Sequence, residues 1–214
     1  VRMCEEVQHV GAIDFIRRGA KMSVSTAFDK PLSSSNCVGC GQCAAVCPTG
    51  AIVVRNDTKK VWKELAREDT QVVAQIAPAV RVAIGKELGL KPGENAMGQI
   101  VAAMRRLGFD AVYDTSTGAD LTVLEEADEL LRRLEKNEKL PLFTSCCPAW
   151  VRYAEETYPD LVKNPSTCRS PMEMFGSVLK ENYKNTGRRT VVVAVMPCTA
   201  KKAEAARKEF IRNG

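Results

Sequence analysis

Short apolar runs alternate with amphipathic stretches over most of the chain. Four of the runs are apolar nearly throughout, a pattern that predicts buried strands of a parallel sheet. They are Gln71–Ala77, Phe109–Thr115, Leu140–Thr144 and Thr190–Met196. Stretches with helical periodicity separate them, at Glu94–Leu107, Leu121–Glu135, Ala149–Tyr158, Pro171–Asn185 and Ala200–Arg212. The alternation predicts an α/β fold.

The first 60 residues have a different character. They contain five cysteines, many small residues and one short β-like stretch, Ala51–Val54. Because few large apolar side chains are present, a module of this kind must fold around inorganic clusters rather than around an apolar core. We therefore expect two domains, residues 1–60 as a cluster-binding module and residues 61–214 as the α/β domain.

Composition excludes two classes of partner. The net charge is +5, and aromatic residues make up only 6% of the chain. The sequence therefore lacks the basic patch with interleaved aromatic rings that is typical of nucleic-acid binding. No apolar run approaches the ~20 residues of a membrane span. With no secretory signal at Val1, we expect a cytoplasmic protein and interpret the chain as an internal piece of a longer one. Seven of the nine cysteines lie in two groups, and in a reducing compartment such clusters indicate metal binding or catalytic chemistry rather than disulfides.

The strongest local motif has the spacing C-x2-C-x2-C-x3-C-P, with Cys37, Cys40, Cys43 and Cys47. In this spacing the first three thiolates bind one 4Fe-4S cubane, and the fourth binds the other cluster of a two-cluster fold. Structural zinc is the alternative, but zinc sites use two separated cysteine pairs or histidine partners. His9, the only histidine, lies in no such pattern.

Because the fourth cysteine of the motif binds the other cluster, the first three thiolates need a fourth ligand from another motif. Cys4 is the candidate, so one cluster has a complete ligand set in Cys4, Cys37, Cys40 and Cys43. Cys47 then belongs to a cluster whose other ligands lie outside the sequence. The alternative is that Cys4 is an ordinary buried thiol.

Three loops that follow predicted strands carry candidate site residues. These are Cys146 and Cys147, Cys198 and Lys201, and Ala77 and Pro78. Ligands of open α/β sheets bind beyond the carboxyl ends of the strands, so we expect these loops to converge. Two separated thiolates and a lysine suit an anionic metal centre. The alternative is that the adjacent cysteines are small buried residues or form a vicinal disulfide.

The stretches TSCCPAW (144–150) and MPCTAKKAE (196–204) resemble the first and second signature motifs of the iron-only (FeFe) hydrogenases. The resemblance covers essentially the whole chain and implies a ferredoxin-like 4Fe-4S module followed by part of a parallel-sheet H-cluster domain. The implied cofactors are 4Fe-4S clusters and the H-cluster, in which a cubane is joined to a two-iron centre with carbonyl, cyanide and dithiolate ligands. The third signature motif of the family is absent from these residues.

By motif position, the resemblance implies that Cys147 and Cys198 bind the cubane, that Cys146 relays protons and that Lys201 donates to a cyanide. The residues that align around the two-iron centre are Ala77, Pro78, Ser170 and Met196. Met172 departs from the family, because many relatives carry there a glutamine that donates to a cyanide. Cys168 matches no ligand position and is expected to be a buried thiol.

One predicted helix has two possible orientations. Glu126, Glu129 and Arg133 share one face, and the residues of the opposite face are Leu124, Ala127, Leu131 and Leu134. The pattern alone indicates that the charged face is solvated. The family resemblance implies instead a proton relay from Cys146 through Glu126, Ser166 and Glu129, ending near Arg133.

The implied reaction is the reversible reduction of protons to H2, with electrons from ferredoxin or an NAD(P)H-oxidising subunit. The alternative function is a hydrogenase-like iron–sulfur assembly protein without hydrogen chemistry. Such relatives generally lack the relay thiol and the carboxylates, which Cys146, Glu126 and Glu129 provide here. A plain ferredoxin would explain only the first 60 residues. We do not expect the 214 residues alone to be active, because half of the H-cluster cubane ligands are absent.

Overall fold

A computed structural model describes residues 1–210, which form two compact units. The first unit consists of Val1–Arg55, Cys147–Pro165 and the described residues from Cys198 onward. The second unit consists of Asn56–Cys146 and Ser166–Pro197. The chain therefore enters each unit more than once, whereas the sequence analysis divides it once, near residue 60.

The second unit is built on a three-stranded parallel sheet with the order β4-β3-β5. Its strands are β3 (Thr70–Ile76), β4 (Ala111–Asp114) and β5 (Arg189–Val195). Its helices are α2 (Thr58–Leu65), α3 (Pro78–Ala83), α4 (Met97–Arg106), α5 (Ser116–Lys136) and α7 (Pro171–Asn182). A short 3-10 turn at Ile84–Leu88 follows α3.

The central strand β3 is buried on both faces. On one face, Val72, Ala74 and Ile76 pack with Ile100 of α4 and with Phe109. On the other face, Val73 packs with two residues of α7, Phe175 and Leu179. Because successive side chains of a strand point to opposite faces, its apolar run serves two layers of helices.

The first unit contains a small antiparallel ribbon and short helices. The ribbon pairs β1 (Asp14–Ile16) with β2 (Ser23–Ser25). The helices are a π-helical turn at Met3–Val7, α1 (Gln42–Ala45), α6 (Pro148–Thr157) and α8 (Lys201–Glu204). Single 3-10 turns lie at Gly19–Lys21, Ala27–Asp29, Leu32–Ser34, Pro159–Leu161 and Lys208–Phe210.

The structure confirms the α/β class and three of the four predicted strands, but the strand predicted at Leu140–Thr144 is wrong. Only Phe143 makes an isolated bridge there, and its carbonyl accepts from the Ser166 amide at 2.7 Å. Pro141 interrupts the segment because proline has no amide to donate to a ladder. Ala51–Val54 is also not a strand.

Several boundaries differ from the pattern. Helix α5 begins five residues earlier than predicted, and Pro148 and Pro171 occupy first-turn positions as predicted. The helix predicted over Ala200–Arg212 is wrong in length, because α8 ends at Glu204 and a 3-10 turn follows. The last residues of that prediction, from 211, lie outside the described residues. Among the helices of residues 1–210, none is both long and apolar enough to cross a membrane.

Helices α5 and α7 approach closely where α5 carries a glycine. A Cβ at Gly118 would lie 2.4 Å from the carbonyl oxygen of Pro171 and 2.7 Å from the Cβ of Phe175. These distances are shorter than real Cβ contacts, and one of the opposing atoms belongs to the backbone. Gly118 therefore sets how closely the start of α7 packs on α5.

We expect Gly118→Ala to destabilise the fold by about 1–3 kcal/mol, because the added methyl group forces the two helices apart. Gly98→Ala in α4 is the matched control, since nothing lies within 4 Å of a Cβ there. Helix propensity should make that control neutral or stabilising by up to about 1 kcal/mol. Urea unfolding of both variants measures the difference, and equal midpoints would contradict the close approach.

Candidate cluster sites and proton relay

The loop that carries the C-x2-C-x2-C spacing brings several thiols together in the first unit. Cys4 lies on the π-helical turn, which packs against α1, and Cys43 lies on α1. Burial raises the pKa of the Cys43 thiol, and the thiols of Cys37, Cys40 and Cys4 raise it further. The four sulfurs that the sequence predicts as one ligand set are therefore electrostatic neighbours.

Amides are directed at two of these sulfurs. The Ala12 amide donates to Sγ of Cys4 at 3.3 Å, and the Gly39 amide donates to Sγ of Cys37 at 3.4 Å. Such hydrogen bonds are characteristic of cluster ligands, where they tune the reduction potential. Among residues 1–210, no group of three or more His, Cys, Asp or Glu side chains is arranged to hold a single ion. A cubane binds each thiolate through a different iron, so its ligands stand farther apart than those of one ion.

Cys47 lies in a separate environment. The hydroxyl of Thr49 and the amides of Ile52, Thr49 and Ala51 lower the pKa of its thiol to about 7. None of the other cysteines contributes to that shift. Cys47 is thus an accessible sulfur that readily becomes a thiolate, the form that binds iron. That Cys47 serves a different cluster from Cys43 stays a prediction.

The first unit also holds the loops of Cys147 and Cys198. Cys147 is the N-cap of α6, with Pro148 at the first helical position. Cys198 lies between β5 and α8 along the chain. The next residue, Thr199, donates its hydroxyl to the carbonyl of Gly39. The loop of Cys198 therefore contacts the loop of Cys37 and Cys40, and a Cβ at Gly41 would lie 2.7 Å from Oγ1 of Thr199.

Lys201 has a buried carboxylate partner that the sequence analysis missed. Its Nζ donates to Oε2 of Glu204 at 2.8 Å, one turn further along α8. Glu204 is only 4% exposed. The buried carboxylate therefore fixes the direction of the Lys201 side chain. The i, i+3 spacing on a helix was the available signal.

In the second unit, Glu129 of α5 is buried and receives several hydrogen bonds. Arg133 donates from Nε to its Oε1 at 3.0 Å, and Ser166 donates to its Oε2 at 2.8 Å. Thr167 donates both its amide, at 3.0 Å, and its hydroxyl, at 3.2 Å, to Oε2. Burial opposes ionisation, but these donors outweigh it and hold the pKa of Glu129 below its ordinary value. The interpretation that the charged face of α5 is solvated is therefore wrong.

The leucine face of the same helix is exposed to solvent. Leu124, Leu131 and Leu134 are 54–68% exposed in the described structure, and Ala127 is exposed as well. Glu129 and Arg133 are 8% and 7% exposed. The burial pattern of α5 is thus the inverse of its hydropathy pattern.

Glu126 lies one turn before Glu129 and is half-buried. Its Oε1 accepts from the amide of Ser145 at 3.4 Å, which joins it to the residue before Cys146. Ser145 also donates its hydroxyl to the carbonyl of Cys168 at 2.6 Å. The structure thus brings Glu126 to the Cys146 loop and Ser166 to Glu129, whereas a direct contact of Glu126 with Ser166 stays a prediction.

Cys168 is not the buried thiol that the sequence predicts. It is half-buried, and its amide donates to Oγ of Ser166 at 3.1 Å. Burial raises the pKa of its thiol, Ser166 lowers it by a hydrogen bond, and the charges of Glu126 and Glu129 raise it further. Cys168 is therefore a neutral neighbour of the two carboxylates.

The residues expected around the two-iron centre include one unsatisfied hydroxyl. Ser170 is 1% exposed, and its Oγ has no hydrogen-bond partner in the described part of the chain. A buried hydroxyl without a partner is costly, so a bound polar group would satisfy it. Ser170 caps α7 as Ala77 caps α3, each before a proline. Pro78 is exposed and Met196 is half-buried.

Gln75, which the sequence analysis missed, fixes the start of α7. It lies buried in the centre of β3, and its Nε2 donates to the carbonyl of Met172 at 3.0 Å. Its Oε1 accepts from the hydroxyl of Thr115 at 3.3 Å. Met172 itself is buried. A polar residue inside an otherwise apolar strand was the signal for this positioning role.

The convergence of the three strand-end loops stays a prediction.

Comparison with known proteins agrees with this chemistry. Residues 70–213 match the family model "Iron only hydrogenase large subunit, C-terminal domain", and residues 31–53 match a 4Fe-4S binding domain. The NADP-reducing hydrogenase subunit HndD of Solidesulfovibrio fructosivorans is 47% identical over 99% of this chain and 38% of its own length. The chain thus spans well under half of that relative.

A solved structure and a second type of relative also match. The apo FeFe-hydrogenase HydA1 from Chlamydomonas reinhardtii matches with a TM-score of 0.67 and 43% identity, over 73% of this chain and 41% of that one. The cytosolic iron-sulfur assembly component 3 of Bos taurus is 30% identical over 84% of this chain and 40% of its own length.

These matches define the class as an iron–sulfur oxidoreductase domain joined to a 4Fe-4S module. The chain belongs to the iron-only hydrogenase family, whose cofactors are 4Fe-4S clusters and the H-cluster.

We propose that Cys4 completes the ligand set of Cys37, Cys40 and Cys43, and we expect Cys4→Ser to lose one cubane. Cys168→Ser is the matched control, because that thiol lies beside carboxylates rather than beside other thiols. Iron content and electron paramagnetic resonance after anaerobic reconstitution measure the difference. Full cubane occupancy in Cys4→Ser would contradict the assignment.

The buried pair of Glu129 and Arg133 should make stability depend on pH. Because the folded pKa of Glu129 lies below its unfolded value of about 4.3, its contribution is complete above that pH and is lost as the pH falls through the folded pKa. We expect Glu129→Gln to cost about 3–5 kcal/mol at pH 7, since it leaves Arg133 buried without its anion. That deficit should shrink in acid.

Asp128→Asn is the matched control, since Asp128 and Arg132 form an exposed pair at the same spacing on the same helix. We expect it to cost only about 0.3–0.5 kcal/mol at neutral pH. Urea unfolding at a series of pH values compares the two variants. A deficit of Glu129→Gln that does not change with pH would contradict the depressed pKa.

Proposed function

We propose that this chain forms part of an FeFe-hydrogenase, which interconverts protons and electrons with H2. The observation that carries the proposal is the buried hydrogen bond from Ser166 to Glu129. Proton transfer needs donors and acceptors within hydrogen-bond reach, and burial restricts the transfer to those partners. In a protein that only assembles clusters, the same hydrogen bond would stabilise the fold and would carry no protons to a cofactor.

The H-cluster, when bound, supplies the site at which protons and electrons combine. We propose Cys147 and Cys198 as two of its four cubane thiolates. Lys201 would donate to an anionic ligand of the two-iron centre, and Glu204 holds its side chain in place. Ser170 would contact the two-iron centre together with Ala77, Pro78 and Met196, and its unsatisfied hydroxyl supports this role.

The proton relay is proposed to begin at Cys146, which is exposed in the described structure. A thiol suits this position because it donates a proton as the thiol and accepts one as the thiolate. Glu126 receives the proton next, and the amide of Ser145 keeps its carboxylate at the thiol-bearing loop. From Glu126 the proton passes to the Ser166 hydroxyl and then to Glu129.

Electrons are proposed to reach the H-cluster through the cluster bound by Cys4, Cys37, Cys40 and Cys43. The contact between Thr199 and Gly39 supports this route, because it joins the loop of that cluster to the loop of Cys198. The donor is ferredoxin or an NAD(P)H-oxidising subunit. A relative with 47% identity is named an NADP-reducing hydrogenase subunit, which favours the second.

We expect Glu126→Gln to reduce hydrogen turnover at least about 100-fold, because the amide cannot carry a proton through the relay. Glu125→Gln is the matched control, since Glu125 is the exposed neighbour of Glu126 on α5. Turnover is measured in the whole polypeptide that contains these residues, matured with its clusters. Near-full turnover of Glu126→Gln would contradict the relay.

The same matured protein also distinguishes the hydrogenase function from the assembly function. Cyanide and carbonyl ligands give infrared bands that cubanes lack. A matured protein with those bands and with hydrogen turnover supports the proposal. Cubanes without those bands and without turnover would instead favour an assembly function, as in the bovine relative.

A further inference from the structure

The outer end of the proton relay needs a group that can both release and accept a proton. Arg133, the residue near which the relay ends, donates to Glu129 and to the carbonyl of Lys139. A guanidinium is always protonated in proteins and carries donors but no acceptor. Arg133 therefore orients Glu129 and stabilises its charge, but it cannot pass protons between Glu129 and solvent.

A second hydroxyl bonds to the same carboxylate oxygen as Ser166. Thr167 donates its hydroxyl to Oε2 of Glu129 at 3.2 Å, and Ser166 donates to that oxygen at 2.8 Å. The two hydroxyls differ in exposure, because Ser166 is 7% exposed whereas Thr167 is exposed to solvent. Oε2 of Glu129 thus lies between an inner and an outer hydroxyl.

We propose that Thr167 is the proton-exit residue, through which Glu129 exchanges protons with solvent. The inference rests on the proposed function. In the outward direction, the O–H bond of the Glu129 carboxylic acid breaks and its proton forms a bond to Oγ1 of Thr167. The original hydroxyl proton of Thr167 passes at the same time to a solvent water, which leaves the threonine neutral and Glu129 ionised. The inward direction is the reverse.

The surroundings of Glu129 favour fast release. Burial raises the pKa of Glu129, but the hydrogen bonds from Ser166, Arg133 and the Thr167 amide outweigh that effect and hold the pKa below its ordinary value. The carboxylate is therefore ionised between transfers. The charged or titratable groups around Glu129, Ser166 and Cys168 include Arg133, Glu126 and Glu125 on α5, besides Cys168 itself on the loop before α7. The amide of Thr167 holds Oε2 in place whatever the side chain at position 167 is.

The test compares Thr167→Val, which removes the hydroxyl but keeps the shape, with Thr167→Ser, which keeps the hydroxyl. Both variants are made in the whole polypeptide, matured with its clusters. After a rapid pH drop at fixed potential, the shift of the cyanide and carbonyl infrared bands reports how fast protons reach the cofactor without turnover. Hydrogen turnover is measured in parallel, with and without a small carboxylic acid buffer.

We expect Thr167→Val to slow the band shift and turnover at least about tenfold. Thr167→Ser should behave as the parent, and the small acid should restore part of the rate in Thr167→Val by replacing the lost hydroxyl. Parent-like rates in Thr167→Val would overturn the proposal, and so would equal slowing in Thr167→Ser. Absence of the infrared bands in the unmutated protein would instead contradict the proposed function.

Discussion

The burial of one ion pair governs the arrangement of the proposed relay. Glu129 and Arg133 are nearly inaccessible, and removing charges from water is tolerated only when they are paired and fully hydrogen-bonded. That requirement accounts for the partners collected around them, two hydroxyls and an amide on Glu129 and the Lys139 carbonyl on Arg133. The segment after Asn164 is thereby tied to α5, and Ser170 at the start of α7 follows it along the chain.

The sequence pattern predicted the sheet well because β3 and β5 are long apolar runs. β3 is buried on both faces, and β5 packs partly buried valines against both core clusters, which leaves little choice of structure. It failed at Leu140–Thr144, where the composition is equally apolar but Pro141 removes a ladder donor. It also missed the ribbon of Asp14–Ile16 and Ser23–Ser25, because three-residue strands are too short to show a period. The local sequence pattern therefore predicted correctly only the strands that belong to the core sheet.

The candidate site was predictable to the extent that it depends on spacing. The cysteines of the 4Fe-4S motif are such a case, and the thiols that raise the pKa of Cys43 are those the spacing groups together. The orientation of α5 was not predictable from hydropathy, since its leucines are exposed and its charges are buried. Gln75, Glu204 and Thr167 were missed because their roles arise from partners that only the folded chain brings near.

The proposed relay through Ser166 and Glu129 has a further consequence for which species it can transport. A hydrogen-bonded chain carries a proton by exchanging bonds, without any atom heavier than hydrogen moving far. Dioxygen and H2 cannot use such a chain, because they move as whole molecules and need open volume. In the proposed relay, substitutions along the polar chain should therefore alter proton supply without altering gas access.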